Sequence, residues 1–235
     1  MSRWRAVVFD LDDTLFAERD YVLSGFAAVA CWAERRTGVP SAAALKDLVM
    51  MFRQGVRGDT FNRWLAARGL DPALAPQMVE VYRSHRPAIL PFPQVRPLLA
   101  ELRGSAKLGL VSDGYAAVQR AKFDALGLEG YFDAVVFSDD MGRDCWKPSN
   151  RPFERVLELL GVPANDTVYV GDNCIKDFLG ARRAGLATIC CTHAGGDYCG
   201  VQPPTLEHAA DKTVASLAVL ARALGVNSGR APEGR

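Results

Sequence analysis

The stretch that decides the fold spans residues 7–14 and reads Val-Val-Phe-Asp-Leu-Asp-Asp-Thr. Its β-branched and aromatic beginning is typical of a buried strand that ends at Asp10. Two other apolar runs, at 108–111 and 167–170, precede Ser112 and Gly171-Asp172 in the same way. Because a helical pattern follows each run, strands and helices alternate along the chain. This alternation predicts a parallel sheet with helices on both faces.

Polar residues follow each of these predicted strands. In open parallel sheets, ligands bind outside the carboxyl ends of the strands, and Asp10, Ser112 and Asp172 all fall at such ends. A single Asp after a strand would carry little meaning, because Asp commonly forms turns and caps helices. Several polar clusters at one sheet edge instead predict a functional site.

Four short motifs occur in a fixed order, at 10–14 (Asp-Leu-Asp-Asp-Thr), 112–114 (Ser-Asp-Gly), 147–148 (Lys-Pro) and 171–177 (Gly-Asp-Asn-Cys-Ile-Lys-Asp). In this order they resemble the motifs of the haloacid dehalogenase superfamily of hydrolases, most of which are phosphatases. The first motif, Asp-x-Asp-x-Thr after an apolar strand, is the most specific. The resemblance implies an α/β fold, with a Rossmann-like three-layer parallel-sheet core and an inserted α-helical bundle as a cap.

Asp10 and Asp12 are the predicted chemical groups of a phosphoryl-transfer site. A phosphate ester resists nucleophiles because its oxygens repel negative charge, so an enzyme must neutralise that charge and hold the nucleophile in line. We predict that Asp10 is the nucleophile and forms an aspartyl-phosphate intermediate. Asp12 then protonates the leaving oxygen and later takes a proton from the hydrolytic water.

Three further groups are predicted to hold the phosphoryl group. Ser112 offers its hydroxyl and Asp113 its backbone amide, while Gly114 lets the backbone approach closely. Lys147 offers a compact positive charge and is also predicted to be catalytic.

Mg²⁺ is the predicted cofactor. It prefers octahedral oxygen coordination and keeps several waters, so a few carboxylates and carbonyls suffice to bind it. The predicted metal ligands are Asp10, the backbone carbonyl of Asp12, Asp172 and Asp177. For Asp177, direct ligation and orientation of the metal's waters are both open.

A long insertion separates the first motif from the second strand, and it exceeds what a crossover between parallel strands needs. Between residues 21 and 86, apolar residues recur at helical spacing between glycine and proline breaks, which predicts a small helical bundle. The resemblance implies that this bundle closes over the site and selects the substrate. Its Trp64 and Tyr82 are candidates to stack on a base or sugar, or else belong to the bundle core.

The predicted domains are an α/β core at 1–16 and 87–225, a cap at 17–86 and a disordered tail at 226–235. A last helix is predicted near 213–224.

The charge balance of 28 basic and 27 acidic residues gives a net charge of +1, so no global field attracts nucleic acid or a membrane surface. No stretch approaches the roughly 20 apolar residues of a membrane helix, and no signal peptide precedes the first strand. We expect a cytoplasmic monomer or homodimer whose partner is a small phosphorylated metabolite.

Six cysteines occur without a Cys-x-x-Cys pair, so they are expected to be reduced thiols. The group Cys190, Cys191, His193 and Cys199 has zinc-ligand residue types, which leaves a zinc site as an alternative. The competing interpretation is a buried strand end, since Cys190 and Cys191 continue an apolar run.

The favoured function is a Mg²⁺-dependent phosphatase for a small phosphomonoester, with sugar phosphates ahead of nucleotides and phosphoglycolate-like acids. One alternative is a sugar-phosphate mutase, which returns the phosphoryl group to its substrate. Another is a non-catalytic binding module that retains the fold, although a competent residue occupies every catalytic position. Asp12 argues against the halide-removing branch, because an alkoxide needs a proton to leave and a halide does not.

Overall fold

The structure, a computed structural model, describes residues 4–193 and 196–226. The predicted tail at 226–235 lies outside the described residues, apart from Val226. The chain divides into two compact units. One combines the chain up to Glu18 with the chain from Leu90 onward, and the other is Arg19–Ile89.

The first unit is built on a parallel six-stranded sheet with the order β3-β2-β1-β4-β5-β6. The strands are β1 (Ala6–Phe9), β2 (Lys107–Ser112), β3 (Ala134–Phe137), β4 (Thr167–Gly171), β5 (Ala187–Cys191) and β6 (Lys212–Val214). All four residues of β1 are fully buried, as expected of a central strand that is covered on both faces.

The register of β1 sets the position of the first motif. Phe9 lies opposite Leu110 of β2 on one side and Val170 of β4 on the other. Asp10 therefore follows β1 beside the last residues of both neighbours, and its amide donates to the carbonyl of Val170 at 2.8 Å. The strand order reverses at β1, and such a reversal opens a ligand-binding crevice in doubly wound sheets.

The helices in chain order are α1 (Glu18–Thr37), α2 (Ser41–Arg53), α3 (Thr60–Ala67), α4 (Ala75–Ser84), α5 (Val95–Arg103), α6 (Ala116–Leu126), α7 (Arg151–Leu160), α8 (Asp177–Arg183) and α9 (Leu217–Ala223). In the sheet unit, α7 packs on β2 and β3, and α8 packs on β4 and β5. Their apolar side chains share one core with the strands, including Phe153, Val156 and Phe178. The predicted α/β, Rossmann-like fold is confirmed.

The second unit contains α2, α3, α4 and all of α1 except its first residue. Its core includes Phe26, Leu48 and Met78. Trp64 is fully buried in that core, and its indole Nε1 donates to Asp47 at 3.1 Å. Trp64 is thus a core residue and not a candidate to stack on a substrate. The role of this unit as a cap stays a prediction.

The predicted last helix near 213–224 is wrong at its start. Thr213 lies in β6, opposite Cys190 of β5, and α9 begins only at Leu217. Ser216 ends the connection between them, because its hydroxyl accepts from the Val219 amide at 3.3 Å and caps α9. The error arose because three residues are too few to show a strand period, and pairing with β5 decides their conformation.

None of the helices in the described part of the chain has both the length and the apolar character needed to cross a bilayer.

Candidate active site

The four motifs meet at the carboxyl edge of the sheet. Asp10 follows β1, Ser112 ends β2, and Asp172 follows β4. Lys147 comes from the connection after β3, and its Nζ lies 2.8 Å from Asp10 Oδ1. The structure therefore gathers the predicted residues into one site, although they are far apart in sequence.

Lys147 is the central cation of this site, and its side chain is fully buried. Its Nζ donates to Asp10 Oδ1 at 2.8 Å, to Asp177 Oδ1 at 2.7 Å and to the Tyr169 hydroxyl at 3.0 Å. Burial alone would lower the pKa of Lys147, but Asp10 and Asp177 raise it well above its usual value. Lys147 thus remains an ammonium ion that links the first, third and fourth motifs. Tyr169 was not predicted as a site residue.

The carboxylate of Asp113 supports Lys147. Its oxygens accept from the Ser138 hydroxyl and from the backbone amide of Lys147, the latter at 2.9 Å. The side chain therefore anchors the connection that carries Lys147. The predicted role of the Asp113 amide in phosphate binding stays a prediction.

Asp10, Asp172 and Asp177 form a buried carboxylate cluster in which one oxygen of each lies within 4.8 Å of the others. Burial, opposed by Lys147 and reinforced by Asp177, raises the pKa of Asp10 to about 6. Burial together with the charges of Asp177 and Asp10 raises the pKa of Asp172 to about 9. The charge of Lys176 lowers both pKa values, yet both stay above their ordinary value. An all-oxygen, anionic donor set of this kind suits a hard divalent cation such as Mg²⁺.

Both carboxylate oxygens of Asp177 already accept hydrogen bonds from other residues. Its Oδ1 accepts from Lys147 and Tyr169, and its Oδ2 accepts from the Asn173 amide at 2.9 Å. The absence of a side chain at Gly171 makes room for it, because a Cβ there would lie 2.5 Å from Asp177 Oδ2. These contacts hold Lys147 and the loop after β4 in place.

The carboxylate of Asp12 is held by two residues of α6. Lys122 Nζ donates to Asp12 Oδ1 at 2.7 Å, and Gln119 Nε2 donates to Asp12 Oδ2 at 2.7 Å. Gln119 Nε2 also lies 2.7 Å from the hydroxyl of Ser112. Burial would raise the pKa of Asp12, but the charge of Lys122 and the hydrogen bonds from Lys122 and Gln119 bring it below its ordinary value.

Neither Gln119 nor Lys122 was predicted as a site residue, although the sequence carries a signal for both. With Phe123 and Leu126 they follow the i, i+3, i+4, i+7 pattern of a buried helix face. Two polar residues on such a face require buried partners, and here the partners belong to the first and second motifs.

The zinc alternative is not supported in the described part of the chain, where the only group of three metal-ligating side chains is the carboxylate cluster. The Cys191 thiol lies 3.9 Å from His193 Nε2, but the His193 ring stacks on Phe92 at a centroid distance of 4.3 Å. Cys199 is exposed, and Cys190 contacts a backbone carbonyl.

Comparison with known proteins identifies relatives across most of the chain. The sequence model of the haloacid dehalogenase-like hydrolases matches residues 4–185. A glyceraldehyde 3-phosphate phosphatase from Methanopyrus kandleri is 33% identical over 195 residues, which cover 79% of this chain and 82% of the relative. A pyrimidine 5'-nucleotidase from Escherichia coli is 29% identical, with coverages of 79% and 85%. The crystal structure of a HAD phosphatase from Thermococcus onnurineus has a TM-score of 0.62 at 27% identity, with coverages of 96% and 100%.

Proposed function

This chain belongs to the haloacid dehalogenase-like hydrolases, as its motifs predict, and we propose that it is a Mg²⁺-dependent phosphatase of a small phosphomonoester. The observation that carries the proposal is the buried cluster of Asp10, Asp172 and Asp177, together with Lys147, which pairs with Asp10 and Asp177. The names of two relatives, a glyceraldehyde 3-phosphate phosphatase and a pyrimidine 5'-nucleotidase, support a small phosphorylated substrate. Within that class we propose sugar phosphates first, and nucleotides or phosphoglycolate-like acids next.

The metal would be held by Asp10, Asp172 and the backbone carbonyl of Asp12. When bound, Mg²⁺ would neutralise phosphoryl charge that the carboxylates would otherwise repel. Because both oxygens of Asp177 accept hydrogen bonds within the protein, we propose that it orients Lys147 and the loop instead of ligating the metal directly.

The chemistry proceeds in two steps at Asp10. In the first, an Asp10 carboxylate oxygen attacks phosphorus, the bond to the ester oxygen breaks, and the phosphoryl group is transferred to Asp10. Asp12 gives a proton to the departing oxygen. In the second, Asp12 takes a proton from water as that water attacks phosphorus, which releases phosphate and restores Asp10.

The protonation state of Asp12 determines where the protons of these two reaction steps come from. The ion pair with Lys122 favours the ionised carboxylate, which is the base needed in the second step. The proton used in the first step would then arrive with the substrate, bound as a phosphate monoanion, and pass to the departing oxygen through Asp12. The proton that Asp12 takes from water in the second step would leave with the released phosphate, which returns Asp12 to its ionised state. The Ser112 hydroxyl remains the proposed donor to a phosphoryl oxygen. Because Asp10, Tyr169 and Asp177 already accept from Lys147, we propose that Lys147 acts on the phosphoryl group through its positive charge.

We also propose that the Arg19–Ile89 unit selects the substrate. The support is its place in the sequence, directly after the loop that carries Asp10 and Asp12. Two arginines of this unit have contacts within the unit itself. Arg57 lies over the Phe52 ring at 3.8 Å, and Arg63 pairs with Asp59.

A phosphate-release screen tests the proposal. Wild-type protein is assayed with sugar phosphates, nucleoside monophosphates and phosphoglycolate, in Mg²⁺ and in excess chelator. We expect release in Mg²⁺, loss of release in chelator, and no turnover by Asp10→Asn. Asp140→Asn is the matched control, because that carboxylate lies at the surface in an ion pair with Arg120.

The alternatives give different results in the same screen. Full activity in chelator, or normal turnover by a folded Asp10→Asn variant, would contradict the mechanism. A mutase would move phosphate between positions of one sugar with little net release. A binding module would release none from any ester.

A further inference from the structure

Gln119 bridges two groups that the proposed mechanism uses separately. Its Nε2 lies 2.7 Å from Asp12 Oδ2 and 2.7 Å from Ser112 Oγ. Gln119 is 2% exposed and Ser112 is fully buried, so water does not compete for the contact between them, and the Asp12 side chain is 16% exposed. The bridge joins the loop after β1 to the end of β2.

The chemistry of the partners determines the orientation of the carboxamide. An ionised carboxylate only accepts hydrogen bonds, so the amide nitrogen of Gln119, not its oxygen, must face Asp12. That nitrogen carries two hydrogens, and the geometry supplies one to Asp12 and the other to Ser112. The Ser112 oxygen then acts as an acceptor toward Gln119, which leaves its own hydrogen to donate to an oxygen elsewhere.

Lys122 completes the hold on Asp12. It donates to Oδ1 while Gln119 donates to Oδ2, so both carboxylate oxygens are held from one turn of α6. A carboxylate held at both oxygens cannot rotate about its terminal bond without losing a buried hydrogen bond, and a buried unsatisfied group is costly. Its direction relative to Asp10 is thereby set.

We infer that Gln119 is a positioning residue that orients the acid–base carboxylate of Asp12 and the phosphate-binding hydroxyl of Ser112 through one amide group. This inference rests on the proposed phosphatase function. It adds that phosphate binding and proton transfer share one support and must weaken together when that support is removed.

The test replaces Gln119 with Met, which has a similar length but no N–H donor. We expect kcat to fall by roughly 10- to 100-fold, the loss expected when hydrogen bonds to a charged group are removed. Inhibition by inorganic phosphate should weaken at least several-fold. The control is Arg120→Met on the same helix, where the guanidinium is exposed, and it should change neither quantity.

Double variants separate positioning from general support. If Gln119 acts through Asp12, then Gln119→Met should reduce kcat far less in an Asp12→Asn background than in wild type. Likewise, it should weaken phosphate inhibition no further in a Ser112→Ala background. If Gln119 only supports the fold, its losses should multiply with those of Asp12→Asn and Ser112→Ala, and that result would overturn the inference.

Two features keep the outcome interpretable. An inhibition constant does not depend on the fraction of active enzyme, so partial unfolding of a variant does not mimic weaker phosphate binding. If Gln119→Met does not fold, Gln119→Glu keeps the shape but places oxygens opposite Asp12, and it should lose at least as much activity. Unchanged kcat and phosphate inhibition in either folded variant would also overturn the inference.

If the proposed phosphatase function is wrong, the assays give a different result from the one expected if only the role of Gln119 is wrong. In that case wild-type protein and Arg120→Met would release no phosphate from any ester in Mg²⁺. If both are active and Asp12→Asn is impaired while Gln119→Met is normal, only the role of Gln119 is wrong.

Discussion

Replacement of Lys147 by Met should cost more stability than most other single changes in the sheet unit. The Lys147 and Asp177 side chains are fully buried and the Asp10 side chain is 3% exposed, with ion-pair distances of 2.8 and 2.7 Å. Removal of one partner from a buried ion pair leaves an uncompensated charge and typically costs about 3–5 kcal/mol. Met fills much of the same volume, so little of this cost would come from a cavity.

Urea unfolding in excess chelator measures this cost without a contribution from bound metal. The matched control is Arg155→Met, which breaks an exposed pair with Glu158 at 3.0 Å. Such i, i+3 surface pairs stabilise a helix by about 0.2–0.5 kcal/mol. Because Asp177→Asn removes one of the charges that Lys147 compensates, the double variant should lose less than the sum of the single losses. The difference should be about 0.5–3 kcal/mol.

The outcome that refutes this reasoning is a small or additive effect. If Lys147→Met lost less than about 1 kcal/mol with a wild-type slope in urea, the carboxylates would not depend on Lys147 for compensation. Strict additivity with Asp177→Asn would show that the two side chains do not interact in the folded protein. In either case Lys147 would no longer be the link between the motifs.

Two other predictions concern packing and thiol reactivity. Gly180→Ala should destabilise the protein by about 1–3 kcal/mol, since its Cβ would lie 2.6 Å from the Pro148 carbonyl oxygen. Gly130→Ala, where the added Cβ meets open space, is the control in thermal unfolding, and equal effects would contradict the packing argument. Burial raises the pKa of Cys191 to about 12, so iodoacetamide should modify exposed Cys31 much faster, as followed by mass spectrometry. Comparable rates would refute this.

The strands of the sheet could be predicted because their signal is local. A buried parallel strand is apolar along its whole length, so residues 6–9 and 167–170 stand out without knowledge of their neighbours. β6 gave no such signal, because it is three residues long and two of them are exposed. Its conformation depends on pairing with β5, which no local pattern encodes.

The site shows the same division between local and non-local information. Asp10, Asp12 and Asp172 follow strands, and a parallel sheet brings strand ends together whatever the details of the helices. The partners of Asp12 lie on a helix, where their meaning depends on which face is buried. Gln119 and Lys122 occupy core positions of α6, yet a Gln and a Lys at such spacing usually face solvent.

Gln119 and Lys122 differ from solvent-facing residues because their neighbours on that face of α6 are apolar. Phe123 and Leu126 continue the same stripe into the core, so the helix cannot turn Gln119 and Lys122 outward without exposing apolar surface. Burial of a Lys is tolerated only where a charge pairs with it, and Asp12 supplies that charge. Two polar residues at the start of an otherwise apolar helix face therefore indicate that they have a buried polar partner. To name that partner, the placement of α6 against the loop after β1 is needed.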